Sequence, residues 1–330
     1  MVWKGESLGV HYDDRRVAGQ TFPPDDPGTL LSIGALLEVI LTVAEASGLE
    51  PELELASTSG AFRGPGYARL RFPGDGKVLE RASVSAQRAR HTNRGPFGSA
   101  TLPVPLTAEL ATASLAGART WYTASVGARK AAARLIDRAS RVRFQTREMH
   151  EWLVASLRFE RSAVESGDGL DVRSLALPPG GAAFLRLIAD WGRLRVLNRV
   201  GVHRLLAAID ARPVARGPGL LAILGPDDEG GALAAGRLLL RLWTRLNTKG
   251  VAVHPYYVVG DVLSRRRRGG VPARLTGLAA EVAAEAGALF GLGADETVHM
   301  MLRLGYPKKT SVRARRLPLS TLVSDGPAQG

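Results

Sequence analysis

Arg90-His91-Thr92-Asn93-Arg94-Gly95-Pro96-Phe97 places two arginines, a histidine and a hydroxyl within five residues, then stops at Gly-Pro. A segment that reads as helix, Thr107 to Ala116, follows it. A basic, hydroxyl-bearing turn beside a helix start offers what a phosphate needs: fixed positive charge, short donors and free backbone N–H groups. Read alone, the same composition also describes a solvated basic turn. Near the other end the chain reads Met300-Met301-Leu302-Arg303-Leu304-Gly305-Tyr306-Pro307, then Arg313-Ala314-Arg315-Arg316-Leu317-Pro318-Leu319. This is an apolar strand ending in Gly-Tyr-Pro, followed by arginines and a short apolar-proline tail.

The 330 residues suffice for one large domain or two small ones, and a hydrophobic share of 45% supplies a core. There are no cysteines, which excludes disulfides, thiolate metal sites and cysteine nucleophiles. Met1 to Asp14 has no apolar signal core, and no window approaches ~18 uninterrupted apolar residues. The expectation is a cytoplasmic chain without a membrane span or membrane partner. The net charge is +13, carried by 38 arginines and 6 lysines. Such charge favours anionic partners, although an arginine-heavy, Ala/Gly/Pro-rich composition also looks like high-GC coding bias.

Along the chain, Ser7 to Tyr12 reads as a short strand and the proline-rich Arg15 to Pro27 as a loop. Thr29 to Ser47 carries Leu30, Ile33, Leu37, Ile40, Leu41 and Ala44 at helical spacing and stops at Gly48. Glu50–Ala56, Gly66–Phe72 and Val78–Val84 read as strands, the last two joined by a Gly74-Asp75-Gly76 turn. Helix is expected from Leu106 to about Glu160, with a break near Trp121. It returns over Ala182–Ala208, Gly231–Thr248 and Leu275–Phe290, with strands at Gly219–Leu224, Val251–Val259 and Thr297–Leu304. Ser324–Gly330 reads as a frayed tail.

One internal repeat is visible. Leu31-Ser32-Ile33-Gly34-Ala35-Leu36-Leu37 is similar to Leu233-Ala234-Ala235-Gly236-Arg237-Leu238-Leu239 at an offset of 202 residues, which also superposes Thr42 on Thr244 and Gly48 on Gly250. Chance between two Leu/Ala-rich helices is one explanation, and duplication is the other.

The basic turn and the C-terminal stretch together resemble the two ends of the nitroreductase fold. That family opens with R-[RH]-[ST]-x-[RK]-x-x-F and closes with an apolar strand ending in G-Y-P, an arginine and an apolar-proline tail. Both ends meet there at the phosphate of FMN. The resemblance implies an α+β fold, a central, mainly antiparallel sheet wrapped by helices. Ordinary members are shorter homodimers holding FMN between subunits. A longer chain with two similar halves resembles the internally duplicated, Acg-like branch. The implied halves are residues 1–160 and 161–330, intertwined as one unit that imitates the dimer, with a homodimer as the alternative.

Residue by residue, the resemblance assigns Arg90, Thr92 and Arg94 to the phosphate, His91 to a variable basic position and Arg316 to the closing arginine, with Arg315 and Arg313 as possible substitutes. His254-Pro255-Tyr256-Tyr257-Val258 falls where the family runs backbone past the flavin N5. Pro255, Tyr256 and Tyr257 are therefore implied cofactor contacts. The family's Glu-Gly pair is absent there; such enzymes need no obligatory side-chain base, and Tyr256 or Tyr257 is a candidate proton donor. The Acg-like branch begins with a Pro-Ser, Asn, Gln-Pro-Trp segment that contacts the flavin, whereas this chain reads Met1-Val2-Trp3, a shortened N-terminus. The implied activity is FMN-dependent, ping-pong hydride transfer through N5 from NAD(P)H or an organic substrate. The rival is a degenerate member that binds or sequesters flavin without catalysis, or a cofactor-free scaffold.

Other chemistries find less support. His11, His91, His150, His203, His254 and His299 never pair at ligand spacing, so no metal is expected. There is no G-x-S-x-G elbow. Gly225-Pro226-Asp227-Asp228-Glu229-Gly230-Gly231 is acidic where a phosphate would sit, and reads as a lid or surface turn. Arg265-Arg266-Arg267-Arg268 reads either as a solvated loop or as a docking patch for an anion. Trp243 reads as core. No aromatic-basic nucleic-acid module is present.

Overall fold

The computed structural model describes residues 1–13, 22–56, 66–73 and 81–325. In chain order the strands and helices are β1 (Val2–Lys4), β2 (Ser7–His11), α1 (Pro27–Ala46), β3 (Glu52–Leu55), β4 (Gly66–Arg71), α2 (Arg81–Ala89), α3 (Val104–Thr112), β5 (Ser114–Leu115) and β6 (Ala118–Thr123). They continue with α4 (Val126–Arg143), α5 (Arg147–Ser156), β7 (Leu157–Arg158), α6 (Arg161–Glu165), β8 (Leu170–Asp171), α7 (Gly181–Leu187), α8 (Trp191–Arg199) and α9 (Val202–Arg216). The last are β9 (Gly219–Pro226), α10 (Glu229–Thr248), β10 (Ala252–Tyr256), α11 (Val258–Arg267), α12 (Thr276–Phe290), β11 (Glu296–Gly305) and β12 (Ser324–Asp325).

The fold is α+β. One sheet runs β12-β1-β2-β4-β3 and the other β10-β11-β9-β6-β5. Every pairing in them is antiparallel except β1 with β12. β9 explains the second sheet's central place. Its Leu220, Ala222 and Leu224 enter a core with α4, α11 and α12, while Leu221 and Ile223 enter another with α3 and α10. A strand covered on both faces reads as a continuous apolar run, as this one does.

α1 and α10 occupy the centre. Each starts at an aspartate N-cap, Asp26 accepting from Gly28 N–H at 2.7 Å and Asp228 from Gly231 N–H at 2.6 Å. Each is followed by a glycine in the left-handed region, Gly48 at φ 71° and Gly250 at φ 73°. The two helices begin and end at positions separated by the same 202 residues. They cross at Gly34 and Gly236, where a Cβ on Gly34 would sit 2.1 Å from the Leu233 carbonyl oxygen and one on Gly236 2.0 Å from that of Leu31. The contact is reciprocal in the repeat's own register. Strand order repeats as well: β2, β4, β3 around α1, and β9, β11, β10 around α10. The second set differs by inserting α11 and α12 before its last strand. By length and composition α1 alone among the described residues could cross a membrane, with mean hydropathy 1.8. Here Leu30, Leu37 and Leu41 are buried against β4 and α10.

Several expectations need correction. Arg81–Val84 is helix, because α2 packs on α10 and Thr244 Oγ1 donates to buried Gln87; residues 74–80, with the expected turn, lie outside the described residues. The expected break near Trp121 is a β5–β6 hairpin, so the helices on either side are separate elements. The hairpin turn uses positive φ at Ala116 and Gly117, and β6 bonds to β9. α3 accordingly stops at Thr112. The strand over Val251–Val259 ends at Tyr256 and turns directly into α11. Ser324 and Asp325 pair with β1 instead of fraying; residues 326–330 lie outside the described residues, as do 14–21 of the expected proline-rich loop. β5 and β6 share one sheet with β9, β10 and β11.

Candidate functional site

Backbone contacts strap the basic turn onto the second sheet. His91 N–H donates to Asn247 Oδ1 (2.9 Å), Asn93 N–H to the Val253 carbonyl (2.9 Å), and Trp243 Nε1–H to the His91 carbonyl (3.1 Å). Trp243 is core, as its composition suggests, yet its polar handle holds the turn. Phe97 bridges Pro307, and Gly98 N–H donates to the Tyr306 carbonyl. The turn therefore meets the Gly-Tyr-Pro end directly. Gly305 permits the approach, since a Cβ there would lie 3.0 Å from the Phe97 ring and 2.6 Å from Pro218. Arg303 donates to the Gly95 carbonyl (2.8 Å) and stacks 3.8 Å over Phe97.

A cavity of about 370 Å³ opens between the turn and the C-terminal segment. Arg88, Arg90 and Arg94 line one side and Arg313, Arg315 and Arg316 the other, with His91, Thr92, Leu170, Ser174, Val312 and Ala314. No carboxylate lines it among the described residues. Arg316 donates to the Arg90 carbonyl at 3.0 Å, which turns its guanidinium toward the basic turn across 226 residues of sequence. Arg90 lies 4.8 Å over the Trp243 ring, and its Nε has no partner. Burial, then the neighbouring Arg316 cation, pushes the Arg90 pKa down to about 10. Burial also lowers that of Arg94. Both shifts report cations short of counter-charge.

The tyrosine pair lies elsewhere. Pro255 faces Leu302 in the β10–β11 ladder. Tyr256 is buried in the core with α4 and α9, and Tyr257 packs against the opposite core. None of the three lines the arginine cavity. Burial, then Asp210, raises the Tyr256 pKa; burial, then Asp26, raises that of Tyr257. Both phenols thus hold their protons. Tyr256 couples to the cavity only through the charge of Arg94. Trp3 stacks on Phe72 at 5.5 Å, on the other sheet.

The arginine run is neither a loop nor a free patch. It ends α11, where Arg265 is buried and bonded to Asp261 and Glu148. Arg267 pairs with Asp227 and Arg268 with Asp26, so the run clasps the starts of α10 and α1. The acidic Gly225–Gly231 stretch is the end of β9 and the N-cap of α10. Among the described residues no His, Asp and Glu side chains gather as a metal site. Arg88 and Ser174 line the cavity without any sequence signal. Ser174 arrives through a one-turn 3₁₀ helix capped by Asp171.

No protein-family model and no curated protein matches the chain. Among solved structures it is similar to nitroreductase-fold, FMN-dependent proteins. The FMN- and NADPH-dependent nitroreductase NfnB of Sphigopyxis sp. strain HMH shares 14% identity, covering 74% of this chain and 99% of that one, at a TM-score of 0.40. The FMN-dependent NfnB of Mycobacterium smegmatis, in complex with NADPH, shares 17% over 75% and 99%, at 0.40. An iodotyrosine deiodinase bound to FMN and 3-iodo-L-tyrosine shares 13% over 71% and 95%, at 0.35.

Proposed function

We propose that the chain is an FMN-dependent oxidoreductase of the nitroreductase kind that holds the FMN phosphate in the arginine cavity. The observation that carries this reading is the convergence of Arg90, Arg94 and Arg316 on one cavity without a carboxylate to neutralise them. A phosphate entering a partly buried site must recover its lost hydration, and fork-shaped guanidinium groups do this better than point charges. The residues present fit that group: the orphaned Arg90 Nε and the Thr92 hydroxyl supply donors, and Leu170 and Val312 supply apolar lining. When bound, the flavin would supply two-electron hydride chemistry, with NAD(P)H or an organic compound as reductant. The chain's part is to bind and orient. Tyr256 and Tyr257 lie outside the phosphate cavity, and their assignment is to the flavin ring, which extends beyond its phosphate.

The absence of the family's Glu-Gly pair at Tyr256-Tyr257 supports a second reading, in which the cavity binds a phosphorylated flavin without turning it over. The visible spectrum after FMN addition, and FMN against riboflavin by fluorescence titration, test the binding. FMN is expected to bind better than riboflavin, each charge-assisted contact being worth ~1.5–3 kcal/mol. Equal, weak binding of both sinks the phosphate site. Tight FMN that neither NADPH nor NADH bleaches selects the second reading. The duplicated, Acg-like organisation belongs to the same proposal and is supported by the reciprocal Gly34–Gly236 crossing.

A further inference from the structure

Many of the fold's arginines are held in ion pairs. Arg119, Arg138, Arg158, Arg186, Arg237 and Arg245 all hold carboxylates. The hairpin of α8 and α9 does not follow this pattern. Arg195, Arg199, Arg204, Arg212 and Arg216 are exposed there, and none forms an ion pair among the described residues. Between them stand Val196, Val200, Leu205 and Ile209, which are 54, 80, 57 and 51% exposed.

The spacing explains the exposure. α8 buries Leu194, and Arg195, Val196, Arg199 and Val200 lie on its opposite side. α9 buries Ala207, Ala211 and Val214, which turns Leu205, Ile209, Arg212 and Arg216 outward. The Val200–Leu205 turn, where Gly201 takes φ 91°, joins the two helices. An exposed aliphatic stripe of this kind, rimmed by charge, is what a binding surface leaves uncovered.

We infer that the α8–α9 hairpin is a docking surface for an anionic lipid membrane. The aliphatic residues would enter the headgroup–acyl boundary, and the arginines would reach outward to lipid phosphates. Charge complementarity selects this occupant. A second copy of the chain would bring like charges face to face, and a nucleic-acid backbone has no use for four exposed aliphatic side chains.

The full-length protein is tested by co-sedimentation with phosphatidylcholine vesicles, with and without phosphatidylglycerol. Binding is expected only to the anionic vesicles, weakening as salt rises. Arg195→Ala, Arg199→Ala and Arg212→Ala together are expected to lower partition on the order of a hundred-fold, at about five-fold per cation. Leu205→Asp with Ile209→Asp abolishes it. Both variants alter exposed positions, and circular dichroism checks that they fold. Lys308→Ala with Lys309→Ala, exposed cations outside the hairpin, leaves binding unchanged. No binding, equal binding to neutral vesicles, or undiminished binding of the hairpin variants overturns the inference. So does a concentration-dependent dimer that the Leu205/Ile209 variant abolishes, or duplex DNA bound in preference to the anionic vesicles.

Discussion

For individual residues, the turn's chemistry comes from what its arginines lack. Arg90 is substantially buried over the Trp243 ring beside the Arg316 cation, and buried Arg94 is offset only by Tyr256 and Asp210, neither of which lines the cavity. Such cations destabilise the fold until an anion arrives. Arg94→Ala or Arg316→Ala is expected to weaken FMN by ~1.5–3 kcal/mol, roughly ten- to a hundred-fold, with riboflavin nearly unaffected. Exposed Arg266→Ala is the control, and fluorescence titration reads all three. His299 supplies a pH signature. Burial lowers its pKa to about 4, while its ring bonds the Pro226 carbonyl at 3.0 Å. An unfolded histidine protonates near ~6.5, so between those values the unfolded chain binds the extra proton. The contribution of His299 to stability should therefore fall as pH drops from 6.5 toward 4, by an amount on the order of 1–3 kcal/mol. His299→Gln should flatten that part of a urea-denaturation profile. An unchanged slope would locate the acid sensitivity elsewhere.

Among the elements, the decisive packing is α1 against α10. Two glycines let the backbones approach so closely that any Cβ meets a carbonyl oxygen. Gly34→Ala and Gly236→Ala should each cost ~1–3 kcal/mol by overpacking. Because either methyl pushes the same two helices apart, the double variant should cost less than the sum. Gly287→Ala in α12, where nothing lies within 4 Å of the added methyl, should instead stabilise by about 0.5–1 kcal/mol. Thermal unfolding of the four proteins distinguishes a true close crossing from a merely glycine-bearing one. The repeat that signals this crossing was legible because helix–helix contact is written in local spacing. The β5–β6 hairpin was not. Ala116-Gly117 carries the turn, but Ala118–Thr123 becomes a strand only because β9 offers it an open edge.

Across the whole molecule, the net charge of +13 is distributed unevenly. Ion pairs hold some of the arginines, and two of these pairs clasp the starts of α1 and α10. Two groups of arginines without ion pairs among the described residues lie in the cavity and along α8–α9. If one chain supplies both halves of the pseudo-symmetric pair, the chain needs no partner to complete its cavity. Sedimentation equilibrium at micromolar concentration should then give a species near 35.1 kDa that still takes up FMN. Uptake that requires a dimer would break this account.

The strongly periodic helices, the buried run of β9, the repeat at 202 residues and the two basic stretches could all be read along the chain. Each is a local pattern, fixed by side-chain spacing within one element. Which arginines are free could not be read that way. Arg265–Arg268 looks more available in the sequence than Arg90 or Arg94, but its carboxylate partners lie up to 242 residues away. Packing likewise put Tyr256 and Tyr257 in opposite cores, because the chain leaves β10 at Tyr256 and turns into α11 at Tyr257. Charge is written in the sequence; whether it is neutralised depends on contacts between distant segments, which only the folded chain creates.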